Sequence, residues 1–139
     1  MKKLINVILV IIWMLIIFLL SNQNSADTTN TTGIVYRVFG INSDSLLVFV
    51  IIRKCAHFIE YLILGILVYN MFKSFNISDI ILCSILLCAL YACSDEIHQL
   101  FIQGREGKIT DCLIDLIGSS TGILLIKLKQ KFNKRLSKN

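Results

Sequence analysis

The stretch Ile80–Phe101, IILCSILLCALYACSDEIHQLF, decides the architecture. From Ile80 to Cys93 it carries one serine, Ser84, and no charge; Asp95, Glu96, His98 and Gln99 then crowd its far end. At about 1.5 Å per residue, a helix of this length spans roughly 33 Å, enough for a hydrocarbon core of about 30 Å. It reads as a transmembrane helix with its polar residues gathered near one face of the membrane.

Three further apolar runs lie on either side of it. Leu4–Leu20 has only Asn6 as a polar residue, Cys55–Phe72 precedes the deciding stretch, and Ile109–Ile126 follows it. The sequence thus predicts an all-α integral membrane bundle of four transmembrane helices, in one domain covering residues 1–139. Composition agrees: the chain is 55% hydrophobic and 17% charged, with a mean hydropathy of +0.74. A soluble domain of this size could not hide so much apolar surface. Proline is absent, so no span is broken by a missing N–H. The first run follows Lys2 and Lys3 as in a signal peptide, but it exceeds the usual apolar region of one, and Asn24-Ser25-Ala26 is a poor cleavage site. It is read as an uncleaved span. Residues 21–45 are rich in Ser, Thr, Asn and Asp and read as an exposed loop. Residues 46–52 fit either an interfacial segment or an extension of the second span.

Charge sets the expected direction. With both termini in the cytoplasm, Lys2, Lys3, Lys73 and the basic tail 127–139 lie inside. Arg37, Arg53, Lys54, Arg105 and Lys108 lie outside, with every acid except Asp79. The net charge of +5 comes mostly from the tail. A tail of this kind after an apolar helix suits anionic lipid and lacks the fold elements that nucleic-acid binding needs. Cys55, Cys83, Cys88, Cys93 and Cys112 form no Cys-x-x-Cys pair and read as small apolar filler.

The polar residues of the spans fall at one depth. Glu60 lies about 8 Å inward from Cys55, and Asp115 about 9 Å inward from Ile109. Asp95 lies about 22 Å from the inner end of its span, so roughly 8 Å below the outer edge. Arg53, His57 and Glu60 share a helical stripe, flanked by Lys54 and Tyr61; Asp95, His98 and Gln99 share another, with Glu96 beside them. Asp111, Asp115, Gly118 and Gly122 share a third, and the two glycines allow close helix approach, within the chain or in an oligomer. Charges at this depth must face inward and pair. Ion pairs that hold the helices together would explain some of them, but the number exceeds what packing requires. A metal centre is disfavoured: a two-metal carboxylate bundle uses Glu-x-x-His, whereas the second span has His57-x-x-Glu60, and Glu96 and His98 diverge. No metal or cofactor is therefore expected.

Two segments are richest, Arg53-Lys54-Cys55-Ala56-His57-Phe58-Ile59-Glu60-Tyr61-Leu62-Ile63-Leu64-Gly65 and Tyr91-Ala92-Cys93-Ser94-Asp95-Glu96-Ile97-His98-Gln99-Leu100-Phe101, and the second continues through Gly104-Arg105, Asp111, Asp115, Gly118 and Gly122. Together they resemble the VanZ-like family, and Ser21-Asn22-Gln23 resembles its short serine-glutamine step. The resemblance implies a multi-pass protein of the bacterial cytoplasmic membrane acting at the cell envelope. The family's namesake is associated with low-level resistance to teicoplanin, a lipid-tailed glycopeptide. No settled biochemical activity comes with the resemblance.

Three functions are open at this point. In the first, Arg53, Lys54, His57, Glu60, Asp95, Glu96, Gln99, Arg105, Asp111 and Asp115 bind an anionic membrane lipid, a lipid-linked wall precursor or a lipoglycopeptide; guanidinium groups engage phosphate in bidentate fashion. In the second, His57 with Glu60, or His98 with Asp95, performs acid–base catalysis on an envelope lipid or wall precursor. No residue stands out as a covalent nucleophile. In the third, the chain is a small helical modulator of another membrane protein.

Overall fold

The computed structural model describes residues 1–23, 30, 33–38, 40, 46–103, 105 and 107–136. Its four long helices are α1 (Lys2–Ser21), α2 (Leu46–Ser74), α3 (Ile80–Gln99) and α4 (Ile109–Leu136). Each apolar run became a helix because, away from water, only intrasegment hydrogen bonds satisfy the backbone. Among the described residues three helices, α1, α3 and α4, are long and apolar enough to cross a membrane. Their outward side chains fit that medium: Leu4, Leu15 and Leu19 of α1, Leu90 of α3 and Ile117 of α4 are all exposed. In water such a continuous apolar surface would drive association.

Helix α2 is the centre. It packs against all three others, most extensively against α4, while α1 and α4 do not touch among the described residues. The α2–α4 seam is built on glycines. A Cβ at Gly118 would stand 2.5 Å from the Phe58 carbonyl, and one at Gly122 would collide with the Leu62 carbonyl. From the other side, a Cβ at Gly65 would collide with the Ser119 carbonyl. The Gly118/Gly122 pair, which offered an oligomer contact, is thus filled by the chain's own second helix. Below the seam, Tyr61, Leu64, Val68, Cys88 and Ala92 meet Val10 and Ile17 in the core.

The boundaries differ from expectation in two informative places. Residues 46–52 are the first turns of α2, so Arg53 and Lys54 sit within a helix and not at its start. Helix α4 does not stop at Ile126 but continues to Leu136 through the basic residues, which are good helix formers on a solvated face. Between α2 and α3, Asn76 adopts the left-handed φ of 57° and donates its N–H to the Lys73 carbonyl at 3.1 Å. Asparagine tolerates that region better than most residues, and α2 ends there.

Candidate functional site

At one end of the bundle the four helices close around the charged layer. Helix α2 contributes Arg53, Lys54, His57 and Glu60; α3 contributes Asp95, Glu96 and Gln99; α4 contributes Asp111 and Asp115. The two aspartates of α4, one turn apart, have opposite surroundings. Asp111 is clamped: Lys54 Nζ donates to Oδ1 at 3.3 Å, and Arg53 Nη2 stands 3.8 Å from Oδ2. Asp115 is fully buried. His57 Nδ1 lies 3.3 Å from its Oδ1, near enough to pair when the imidazole is protonated. Apart from this contact, neither Asp115 oxygen has a hydrogen-bond partner among the described residues.

Glu96 approaches from α3. The Lys108 backbone N–H donates to its Oε2 at 2.7 Å, while Oε1 is buried without a hydrogen bond. The loop reaches it because residue 107 is glycine; a Cβ there would stand 2.5 Å from the Glu96 carbonyl. Asp95 faces a different neighbour. Gln99 Nε2 bridges its Oδ2 at 3.3 Å and the Ser21 hydroxyl at 3.0 Å, so the end of α1 forms a wall of the layer.

A cleft of about 100 Å³ opens beside these groups, lined by Arg53, His57, Glu60 and Arg105 together with Ser21 and Gln23. Arg105 comes from the α3–α4 loop. Burial, and then the charge of Arg53, lower its pKa from the ordinary value, while Asp95, Glu60 and Glu96 raise it; a guanidinium stays charged throughout. Two permanent cations therefore line a phosphate-sized space, alongside apolar Leu20, Val35, Ile52 and Ala56.

The site expected from sequence is redistributed by these positions. Arg53, His57, Glu60 and Arg105 line the cleft. Asp95, Glu96, Gln99, Asp111 and Asp115 stand behind or beside it, and Lys54 serves the Asp111 clamp. His98 departs from the expected partnership with Asp95: its Nε2 lies 3.2 Å from Asn22 Oδ1, and its ring packs on Phe18 with centroids 4.7 Å apart. Tyr61, expected on the flank of its helix, is fully buried. Ser21 and Gln23 were not among the expected ligand-binding residues. The only signal for them was the Ser21-Asn22-Gln23 step at the end of the first apolar run.

The grouping of His57, Glu96 and Asp115 also lies outside sequence reasoning, because it draws one residue from each of three helices. Their donor atoms all lie within 4.8 Å of one another.

No curated protein and no solved structure shows significant similarity to the chain. The family model described as VanZ/LLP1 matches residues 6–130, nearly the whole length and every residue of the layer. The segments that carry the resemblance are thus the same ones that fold together here, and the chain belongs to the VanZ/LLP1 family.

Proposed function

We propose that this is a four-span protein of the bacterial cytoplasmic membrane, with both termini inside, that binds an anionic lipid or lipid-linked headgroup in a cleft open to the outer leaflet. The observation that carries the reading is that Arg53 and Arg105 both line one small cleft. A phosphate between two guanidinium groups gains charge-assisted, geometrically matched hydrogen bonds. Those bonds strengthen where water is scarce. His57 and Glu60 on the same wall would contact the attached hydroxyls. Through such binding the protein would act at the envelope and give low-level protection against teicoplanin.

The test is teicoplanin susceptibility of a Gram-positive host expressing the native chain, compared with Arg53→Ala, Glu60→Gln and Asp95→Asn at matched membrane levels. Protection by the native chain and its loss in the variants supports the reading. Well-expressed native protein that gives no protection removes the antibiotic from it. Phosphorus analysis of the purified protein then decides the binding itself: co-purifying phospholipid should fall several-fold in Arg53→Ala and in Arg105→Ala. Unchanged lipid content in both ends the headgroup reading.

A second reading, acid–base catalysis on an envelope lipid, is favoured by the 3.3 Å approach of His57 and Asp115. A carboxylate beside an imidazole holds the ring in position for proton transfer. This version assigns the chemistry to His57, whereas His98 belongs to the α1 contact. It predicts an altered lipid or wall precursor in cells expressing the native chain, absent with His57→Ala.

A further inference from the structure

We propose that His57, Glu96 and Asp115 form a binding site for a divalent transition cation, of the zinc or manganese class, at the junction of α2, α3 and α4. The inference does not rest on the headgroup reading. It begins from an imbalance in the hydrogen bonding. The three residues are only 8%, 7% and 0% exposed. His57 Nδ1, Glu96 Oε1 and both Asp115 oxygens are nonetheless buried without a hydrogen-bond partner among the described residues. Buried polar atoms are normally paired, and each that is not costs about 1–3 kcal/mol. His57 Nδ1 and Asp115 Oδ1 at least face each other at 3.3 Å, which leaves Glu96 Oε1 and Asp115 Oδ2 with no partner among the described residues; such atoms on three converging side chains mark a place where something is held.

Geometry and charge say what kind of thing. Donor atoms sharing an ion at about 2.0–2.2 Å stand roughly 3–4 Å apart. His57 and Asp115 already stand at 3.3 Å, and the whole set lies within 4.8 Å, so small side-chain rotations close the shell. The other Glu96 oxygen is held by the Lys108 N–H at 2.7 Å, an orienting contact of the type that fixes ligating carboxylates. Lys54 is engaged with Asp111 at 3.3 Å, and Arg53 stands between that carboxylate, at 3.8 Å, and the cleft. Glu60, Asp95, Glu96 and Asp115 gather around His57, and of these Glu60, Asp95 and Glu96 share the charge of Arg105. A divalent ion would offset that excess of negative charge. One imidazole with two carboxylates favours zinc or manganese over calcium or magnesium, which prefer all-oxygen shells. Three protein ligands leave a coordination position open. His57 lines the cleft that holds Arg53 and Arg105, and Glu96 lines a second, apolar one beside Gly107 and Cys112. The ion would sit between the two.

The experiment uses the full chain, purified in detergent without a histidine tag, stripped by chelator and titrated separately with Zn²⁺, Mn²⁺ and Mg²⁺. Bound metal is counted by mass spectrometry and affinity by calorimetry. One equivalent of Zn²⁺ or Mn²⁺ is expected, with Mg²⁺ far weaker. His57→Asn, Glu96→Gln and Asp115→Asn should each weaken binding by at least about tenfold, the scale on which even outer-shell changes act. Asp79→Asn, at the exposed start of α3, should bind as the native chain does. Cobalt substitution adds a readout of ligation: the visible spectrum of the Co²⁺ protein should change in His57→Asn, and thermal unfolding of the chelated variants establishes that they are folded. A folded native chain that takes up no transition metal overturns the proposal. So do folded variants that bind as tightly as native, which would place the metal at an adventitious surface site.

Discussion

Tyr61 occupies the residue beneath the charged layer, where its ring is fully enclosed and lies 6.2 Å from that of Tyr91. The two phenols fare differently. Tyr91 donates to the Met14 carbonyl at 2.5 Å, while the Tyr61 hydroxyl is buried without a partner among the described residues. An unpartnered hydroxyl costs about 1–3 kcal/mol, and phenylalanine would fill the same space without it. Tyr61→Phe should therefore raise the thermal unfolding midpoint of the detergent-solubilised protein, and Tyr91→Phe should lower it. A lower midpoint for Tyr61→Phe would mean that the hydroxyl is satisfied by water or a ligand within the layer. At this scale the sequence was legible in kind more than in direction. The helical stripes correctly placed Arg53, His57 and Glu60 on one wall. They could not say that His98 would turn to Asn22 or that Glu96 would reach His57 and Asp115, because a helix face is about 100° wide and the choice within it is made by neighbours far away in sequence.

Elements were easier to read than their ends. An apolar run excluded from water must be helical, so all four helices were visible in the composition of their runs. Residues 46–52 were ambiguous because seven apolar residues do not identify a span, and they joined α2 only through continuity with it. The extension of α4 past Ile126 was hidden because a basic segment suits a helix end and a solvated tail equally. The contact that orders these elements, α2 against α4, was half visible: Gly118 and Gly122 announced a close approach without naming the partner. Substitution can test that assignment. A methyl at Gly65 or Gly122 would meet backbone carbonyls of the opposite helix, which cannot swing aside as side chains do. Gly65→Ala and Gly122→Ala should each destabilise by about 1–3 kcal/mol, the usual cost of overpacking, seen as a fall in resistance to denaturation in detergent. Gly33 is the control: it is helical and has open space around it, so Gly33→Ala should be neutral or slightly stabilising. If all three behave alike, the glycine seam is not the close contact.

At the scale of the whole molecule, the proposal of a cleft facing the outer leaflet depends on direction, which charge and helix length both constrain. Helix α4 has 28 residues, about 42 Å of helix at 1.5 Å per residue, whereas the hydrocarbon core is about 30 Å thick. With Asp111 and Asp115 near one face, the last turns must project beyond the other, carrying Lys127, Lys129, Lys131, Lys134 and Arg135. Lys73 lies at that same end, where it hydrogen-bonds Gln130 of α4. Anionic lipid and the excess of basic residues on cytoplasmic segments both favour placing this end inside. The opposite end holds the α3–α4 loop, where Gln103 is exposed. In a background whose five cysteines are replaced by alanine, Gln103→Cys should react with a membrane-impermeant maleimide on intact cells, and Lys131→Cys only after permeabilisation. The reverse pattern would turn the arginine cleft toward the cytoplasm. The bundle and its charged layer would stand unchanged, but an extracellular glycopeptide could no longer meet them, and the anionic group bound there would have to come from the inner leaflet.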